Sequence, residues 1–148
     1  MANINANVKF FAKLDDLASG KRLEEFVQRQ AEECWEQIVT TTPPQVQTGQ
    51  YIASIQVRDV QRSGNEIFAE VFTDLRLDWH NVFLAELLEH GTGIYREDGT
   101  GRQTPWTYYN DRWKRFVFTR GIKPMPHWTP AYQMQTVKMK EGLRHVFN

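Results

Sequence analysis

Cysteine occurs once in the 148 residues, at Cys34, which excludes an internal disulfide and any zinc site built on cysteines. Net charge is missing too: 18 Lys and Arg balance 18 Asp and Glu, so long-range attraction to nucleic acid cannot come from the molecule as a whole. No apolar run approaches the roughly 20 residues that span a bilayer, and the first residues lack the order of a signal peptide. A soluble intracellular chain with no membrane partner is the expectation. Repeats and low-complexity tracts are absent. Aromatic residues are plentiful: 9 Phe, 5 Trp and 5 Tyr, in a composition 41% hydrophobic and 24% charged. That suffices for a packed core and argues against intrinsic disorder. The length fits one domain over 1–148.

Zero charge conceals segregation. Residues 11–39 hold four basic and seven acidic side chains, net −3, whereas 94–124 hold seven basic and three acidic, net +4. Opposite patches on one small protein favour head-to-side packing of copies, as in a ring, because complementary potentials steer association and set register. Ordinary solvated surface is the plainer account of the same charges.

Ile4, Ala6, Val8 and Phe10 alternate with polar residues, the period of a half-buried strand. Leu23, Phe26, Val27, Ala31, Cys34, Trp35 and Ile38 recur three and four apart and predict a helix over 21–40. Cys34 lies in that stripe and reads as a small buried hydrophobe. Pro43-Pro44 ends the helix. After Gly49, the alternation of Tyr51, Ala53, Ile55 and Val57 predicts a strand; Ser63-Gly64-Asn65 turns it into an antiparallel partner carrying Ile67, Ala69 and Val71. A short helix is expected between Trp79 and Glu89, stopped by His90-Gly91-Thr92-Gly93. If that turn caps the helix, Gly91 or Gly93 should have positive φ.

Residues 97–103 have no apolar side chain and two glycines, which predicts an exposed, mobile loop, taken with its margins as 95–103. Trp106–Tyr109 and Trp113–Thr119 read as a hairpin joined at Asn110-Asp111-Arg112, its aromatics mostly core or interface. Gly121 and Pro124-Met125-Pro126 end it. Thr129-Pro130 looks like a helix start, opening a C-terminal helix over 130–148 that buries Tyr132, Met139, Leu143 and Val146 and is weakened by Gly142.

Catalytic sets are weak. Gly91-Thr92-Gly93 lacks phosphate-loop spacing. Glu86 and His90 share a helix face, but His80 is too far along to complete a metal motif. His127 has no sequence-adjacent carboxylate to support nucleophile activation. The stretch Trp113-Lys114-Arg115-Phe116-Val117-Phe118 has the residue types of a single-strand binder. No catalytic, cofactor-binding or metal-ligating residue is assigned.

Three separated motifs together resemble one family. Residues 42–55, Thr-Pro-Pro-Gln-Val-Gln-Thr-Gly-Gln-Tyr-Ile-Ala-Ser-Ile, are similar to the "Pro, then Thr-Gly, then Leu-Arg-x-Ser-Ile" stretch after the long helix in small tail-component proteins of long-tailed double-stranded-DNA bacteriophages. Leu88-Glu89-His90-Gly91-Thr92-Gly93 resembles their "Glu-Phe-Gly-Thr-Gly" turn. Residues 118–131, Phe-Thr-Arg-Gly-Ile-Lys-Pro-Met-Pro-His-Trp-Thr-Pro-Ala, resemble their "Thr-x-Gly-x-x-Pro-x-Pro-Phe-x-x-Pro-Ala" ending. Order and spacing agree over about residues 20–135. His90 and His127-Trp128 replace the usual Phe but keep bulk and flatness.

The resemblance implies an α+β fold, with a long N-terminal helix and a C-terminal helix packed on an antiparallel sheet. It also implies a virion structural protein of the neck or upper tail, for tail completion or head-tail joining. Such proteins act without cofactor as a homo-oligomer, a hexameric ring favoured, assembled in the host cytoplasm beside other phage neck and tail proteins, with DNA passing nearby but not read in sequence. A nucleic-acid-binding module or a metal-dependent nuclease is the alternative. The expected interface comprises Tyr95, Arg96, Glu97, Asp98 and Arg102 in the loop and Arg112, Lys114 and Arg115 on the hairpin, facing Glu32, Glu33 and Glu36 of the next copy. Gly49, Gly91, Gly93, Gly121, Pro124 and Pro126 are the expected structural turns.

Overall fold

A computed structural model describes residues 7–13, 20–44, 49–77 and 82–146. The early strand positions Ile4 and Ala6, the break at Ser19, residues 45–48 of the first motif, and Trp79 and His80 lie outside them. The elements in order are β1 (Asn7–Lys13), α1 (Gly20–Thr41), α2 (Gly49–Ser54), β2 (Ile55–Ser63) and β3 (Glu66–Thr73). There follow β4 (Arg76–Leu77), β5 (Val82–Phe83), α3 (Leu84–His90), β6 (Trp106–Asn110), β7 (Arg115–Thr119) and α4 (Trp128–Val146). The fold is α+β.

The chain forms two compact units, Met1–Leu75 with His127–Asn148, and Arg76–Pro126. In the first, an antiparallel sheet of order β1-β3-β2 carries α1 on one face. Val8, Phe10 and Ala12 of β1 stand opposite Val71, Ala69 and Ile67 of β3, and all six are buried. Above them lie Leu23, Val27, Ala31, Cys34 and Ile38, each 0% exposed, the helical stripe expected from the sequence. Burying a large apolar side chain contributes roughly 1.5–3 kcal/mol, so this layer holds the unit together. Gly64-Asn65 closes β2 on β3, with Gly64 at φ 61, as the turn chemistry predicts.

Residues 49–54 correct the sequence reading: they are helical, and β2 begins only at Ile55. Tyr51 and Ile55 are both buried while Ala53 is exposed. A spacing of four satisfies either period, and the packing selected the helix. Gly49 therefore opens α2 instead of making a turn. Val82 and Phe83 likewise pair as a strand with β4, so α3 is shorter than expected.

α4 starts at Trp128, two residues before the expected point, because proline is tolerated within the first turn. Its buried face is Trp128, Ala131, Gln135 and Met139. Tyr132, Leu143 and Val146 are only half-buried, with Tyr132 against the Phe10 ring at 5.7 Å. Gln135 takes the core position because its Nε2 donates to Gln30 Oε1 at 2.8 Å and to Glu33 Oε2 at 3.0 Å. Gly142 admits a neighbour: a Cβ there would lie 2.6 Å from the Phe26 ring.

Candidate functional site

In the second unit the chain folds back on itself at two glycine-containing motifs about thirty residues apart. Thr92 N donates to Ile122 O at 2.9 Å, Ile94 N to Arg120 O at 3.1 Å, and Ile122 N to Thr92 Oγ1 at 2.9 Å. A Cβ at Gly93 would sit 2.0 Å from Arg120 O, and one at Gly121 would sit 2.0 Å from Thr92 O. The backbones approach so closely that only hydrogen fits. Gly91 ends α3 with φ 76 and ψ 178, and Gly93 has φ 61, so both glycines take the positive φ expected, although Gly91 is extended in ψ and not left-handed helical. Pro124 packs against Gly91, its Cδ 2.8 Å from where a Cβ would be, and Met125 N donates to Leu88 O at 2.7 Å. Pro126 is exposed.

This clamp carries the expected loop. Arg96 is its anchor: the guanidinium meets Glu86 at 3.3 Å and Asp98 at 3.0 Å. Those bonds outweigh burial and raise its pKa above the ordinary arginine value. Asp98 accepts from the Thr100 hydroxyl at 2.6 Å and the Thr100 amide at 2.9 Å. These two bonds, with Arg96, lower its pKa to about 2. Glu97 is exposed, 3.6 Å from His90 Nδ1; Tyr95 lies under Lys123 Nζ at 5.8 Å; Arg102 stacks on Trp106 at 5.5 Å. Gly101 passes Gly93 O so closely that a Cβ would lie 2.0 Å away. The loop is exposed as expected, and it carries its own hydrogen bonds.

Beyond it stands the β6–β7 hairpin. Its turn is Asp111–Lys114, so Trp113 and Lys114 belong to the turn and not to the strand, with Lys114 at φ 49. Lys114 lies 3.8 Å from Asp111, and Arg115 stacks on Trp113 at 5.3 Å. Arg112, Lys114 and Arg115 are all exposed. Among the aromatics expected in core or interface, Tyr109, Trp113, Phe116 and Phe118 are exposed, Phe116 the most at 73%.

The acidic residues expected opposite lie on α1, and they divide. Glu32 and Glu36 are exposed. Glu33 is engaged within its own unit, by Gln135 and by Lys138 at 3.8 Å.

Two polar sites escaped sequence reasoning. Tyr51 Oη lies 2.7 Å from His127 Nε2 and accepts from Trp128 Nε1 at 3.1 Å, all three residues at most 1% exposed. This joins the first motif to the end of the third. The signal was the His-Trp pair inside a proline-rich run, where two polar aromatic tips need partners once buried. Glu70 is 4% exposed, held by Asn7 at 2.8 Å and Arg58 at 2.6 Å. It is in register with Lys9 on one strand and Arg58 on the other, a row invisible until the pairing is known.

Burial pushes the Cys34 thiol up to about 12, which removes it as a nucleophile. Among the described residues no three His, Cys, Asp or Glu side chains are placed to hold a metal ion, and no helix is long and apolar enough to cross a membrane.

Residues 8–91 match the model of a family described as "Bacteriophage HK97-gp10, putative tail-component", a span covering more than half of the chain. No curated protein and no solved structure matches it.

Proposed function

This chain belongs to the HK97-gp10-like family of phage tail components, and we propose that it is a part of the neck or upper tail that completes the tail, joins it to the head, or both. It does so as a non-catalytic homo-oligomeric ring around the DNA path, six-membered by preference, with 1–148 acting as one tail-completion domain. The family match over residues 8–91 carries this reading. The basic stretch 94–124 and the acidic stretch 11–39 support assembly of copies, since opposite potentials on a chain of zero net charge favour a heterologous contact. The clamp at Gly91, Gly93 and Gly121 supports a docking role for the loop, because it sets the direction in which the loop leaves.

Deleting residues 97–102 tests this. The fold should persist, by circular dichroism, while joining of heads to tails fails and free heads and tails accumulate. Normal virion yield from that deletion would end the reading. Electron microscopy of particles with this chain labelled gives its axial position. The enzymatic alternative is checked by incubating the protein with DNA and divalent metals, where cleavage abolished by His90→Ala would replace a structural role by a nuclease.

A further inference from the structure

One face of the β6–β7 hairpin is aromatic and open. Thr107 and Tyr109 of β6 stand opposite Phe118 and Phe116 of β7; the two phenyl rings are 66% and 73% exposed, and Tyr109 meets Phe116 edge to face at 5.3 Å. No residue of that face is charged. Arg115 stands on the opposite face, in register with Asn110. A binder of single-stranded nucleic acid needs cations beside its stacking rings to meet phosphates. The Phe116–Phe118 face holds none, and the exposed ring that does carry a cation, Trp113 under Arg115, lies in the turn outside that face. An exposed aromatic patch with charge confined to its rim is the anatomy of a protein contact. The rim is basic, and among the described residues Arg112, Arg115 and Arg120 have no ion-pair partner.

The complement is present on the same chain. Glu32 and Glu36 are exposed one turn apart on α1. Beside that helix α4 presents Met134 and Val137, 43% and 57% exposed, with Gln37 of α1 reaching the Met134 sulfur at 3.6 Å. Lys138, beside that apolar pair, is already met by Glu33 at 3.8 Å. Among the described residues Glu32 and Glu36 are therefore the exposed acids of this part of α1 with no ion-pair partner. An apolar pair next to an acidic helix face fits an aromatic face rimmed by bases.

We infer that the aromatic face of the hairpin of one copy docks on the α1–α4 surface of the next, with Phe116 and Phe118 against Met134 and Val137, and Arg112 and Lys114 toward Glu32 and Glu36. This contact presupposes the ring proposed above and names its interface. It uses two different patches, so each copy keeps one free patch for a further neighbour, and the series closes into a ring when the rotation allows. Aromatic burial supplies the affinity and the rim charges set register, since exposed pairs contribute only about 0–1 kcal/mol each.

The lone native thiol, on Cys34, is buried, so introduced cysteines report alone. Phe118→Cys protein and Val137→Cys protein are prepared separately, then oxidised at high concentration singly and as an equimolar mixture. The mixture should give disulfide-linked dimer about tenfold above either protein alone, and Phe116→Ser with Phe118→Ser should weaken self-association at least about tenfold with the far-ultraviolet spectrum unchanged. Dimer from the Phe118→Cys protein alone in equal amount, or no dimer in the mixture, overturns the contact. Electron microscopy of purified particles reads the ring separately: a ring without the mixed dimer removes this interface only, and particles without a ring remove the ring proposal itself.

Discussion

Gly93 and Gly64 both have φ 61, yet their surroundings differ. A Cβ at Gly64 meets nothing within 4 Å, while one at Gly93 meets Arg120 O at 2.0 Å. Gly64→Ala should therefore cost only the backbone strain, about 1 kcal/mol. Gly93→Ala adds a collision with backbone and should cost about 3 kcal/mol or more. Thermal melts of the two variants decide it, and equal losses would show that the close approach contributes nothing. A second residue-scale expectation concerns Tyr51. Tyr51→Phe keeps the ring but removes the oxygen that meets His127 and Trp128, so denaturant unfolding should report a loss of about 1–3 kcal/mol. An unchanged midpoint would mean that this buried cluster is held by packing alone.

At the scale of the element, the 95–103 loop is held by Asp98, whose pKa is lowered from 3.8 to about 2 chiefly by the hydroxyl and amide of Thr100. A lowered carboxylate pKa contributes stability that is complete above the unfolded value and lost as pH falls through the folded one. The loop should thus stay ordered at pH 4 and lose its Thr100 contacts only as pH approaches about 2, followed through the Thr100 amide resonance. A transition centred near pH 4, or one that persists unchanged in Asp98→Asn, would contradict the assignment. At the same scale two segments depart from their local period. Residues 49–54 alternate like a strand, yet they are helical, with Tyr51 buried and Ala53, on the same side of the alternation, exposed. Trp113 alternates with Arg115 and Val117, yet lies in the turn before β7. Short segments satisfy either period, and only neighbours elsewhere in the chain choose between them.

For the whole molecule, the separation of charge makes salt the discriminating variable. If the rim charges set register and aromatics supply affinity, sedimentation should show self-association weakening a few-fold between low and high salt without vanishing, because screening removes only the exposed pairs. A nucleic-acid module would behave otherwise, losing DNA affinity by roughly a thousandfold or more over a similar range as counterions are released. Exchanging signs with Arg112→Glu should weaken association, and Glu36→Arg in the same chain should restore it. Failure of that rescue would place the basic rim against some other partner.

Local periodicity alone determined the long helix, the β2–β3 turn at Gly64, the hairpin of residues 106–119 and the burial of Cys34. In each, the signal lies within a few residues: a helical stripe, a turn residue or a strand alternation is set by neighbours close in the chain. The glycine motifs announced unusual backbone, and both Gly91 and Gly93 have positive φ. Tertiary structure alone decided what those glycines are for: Gly93 and Gly121 are shaped to each other across about thirty residues, and no local rule relates them. It also decided that Glu70 is buried among Asn7, Lys9 and Arg58, that Glu33 is engaged by α4 while Glu36 is exposed, and that Phe116 and Phe118 face outward. Strand alternation shows which side chains share a face, but whether that face is covered depends on what else the chain brings to it.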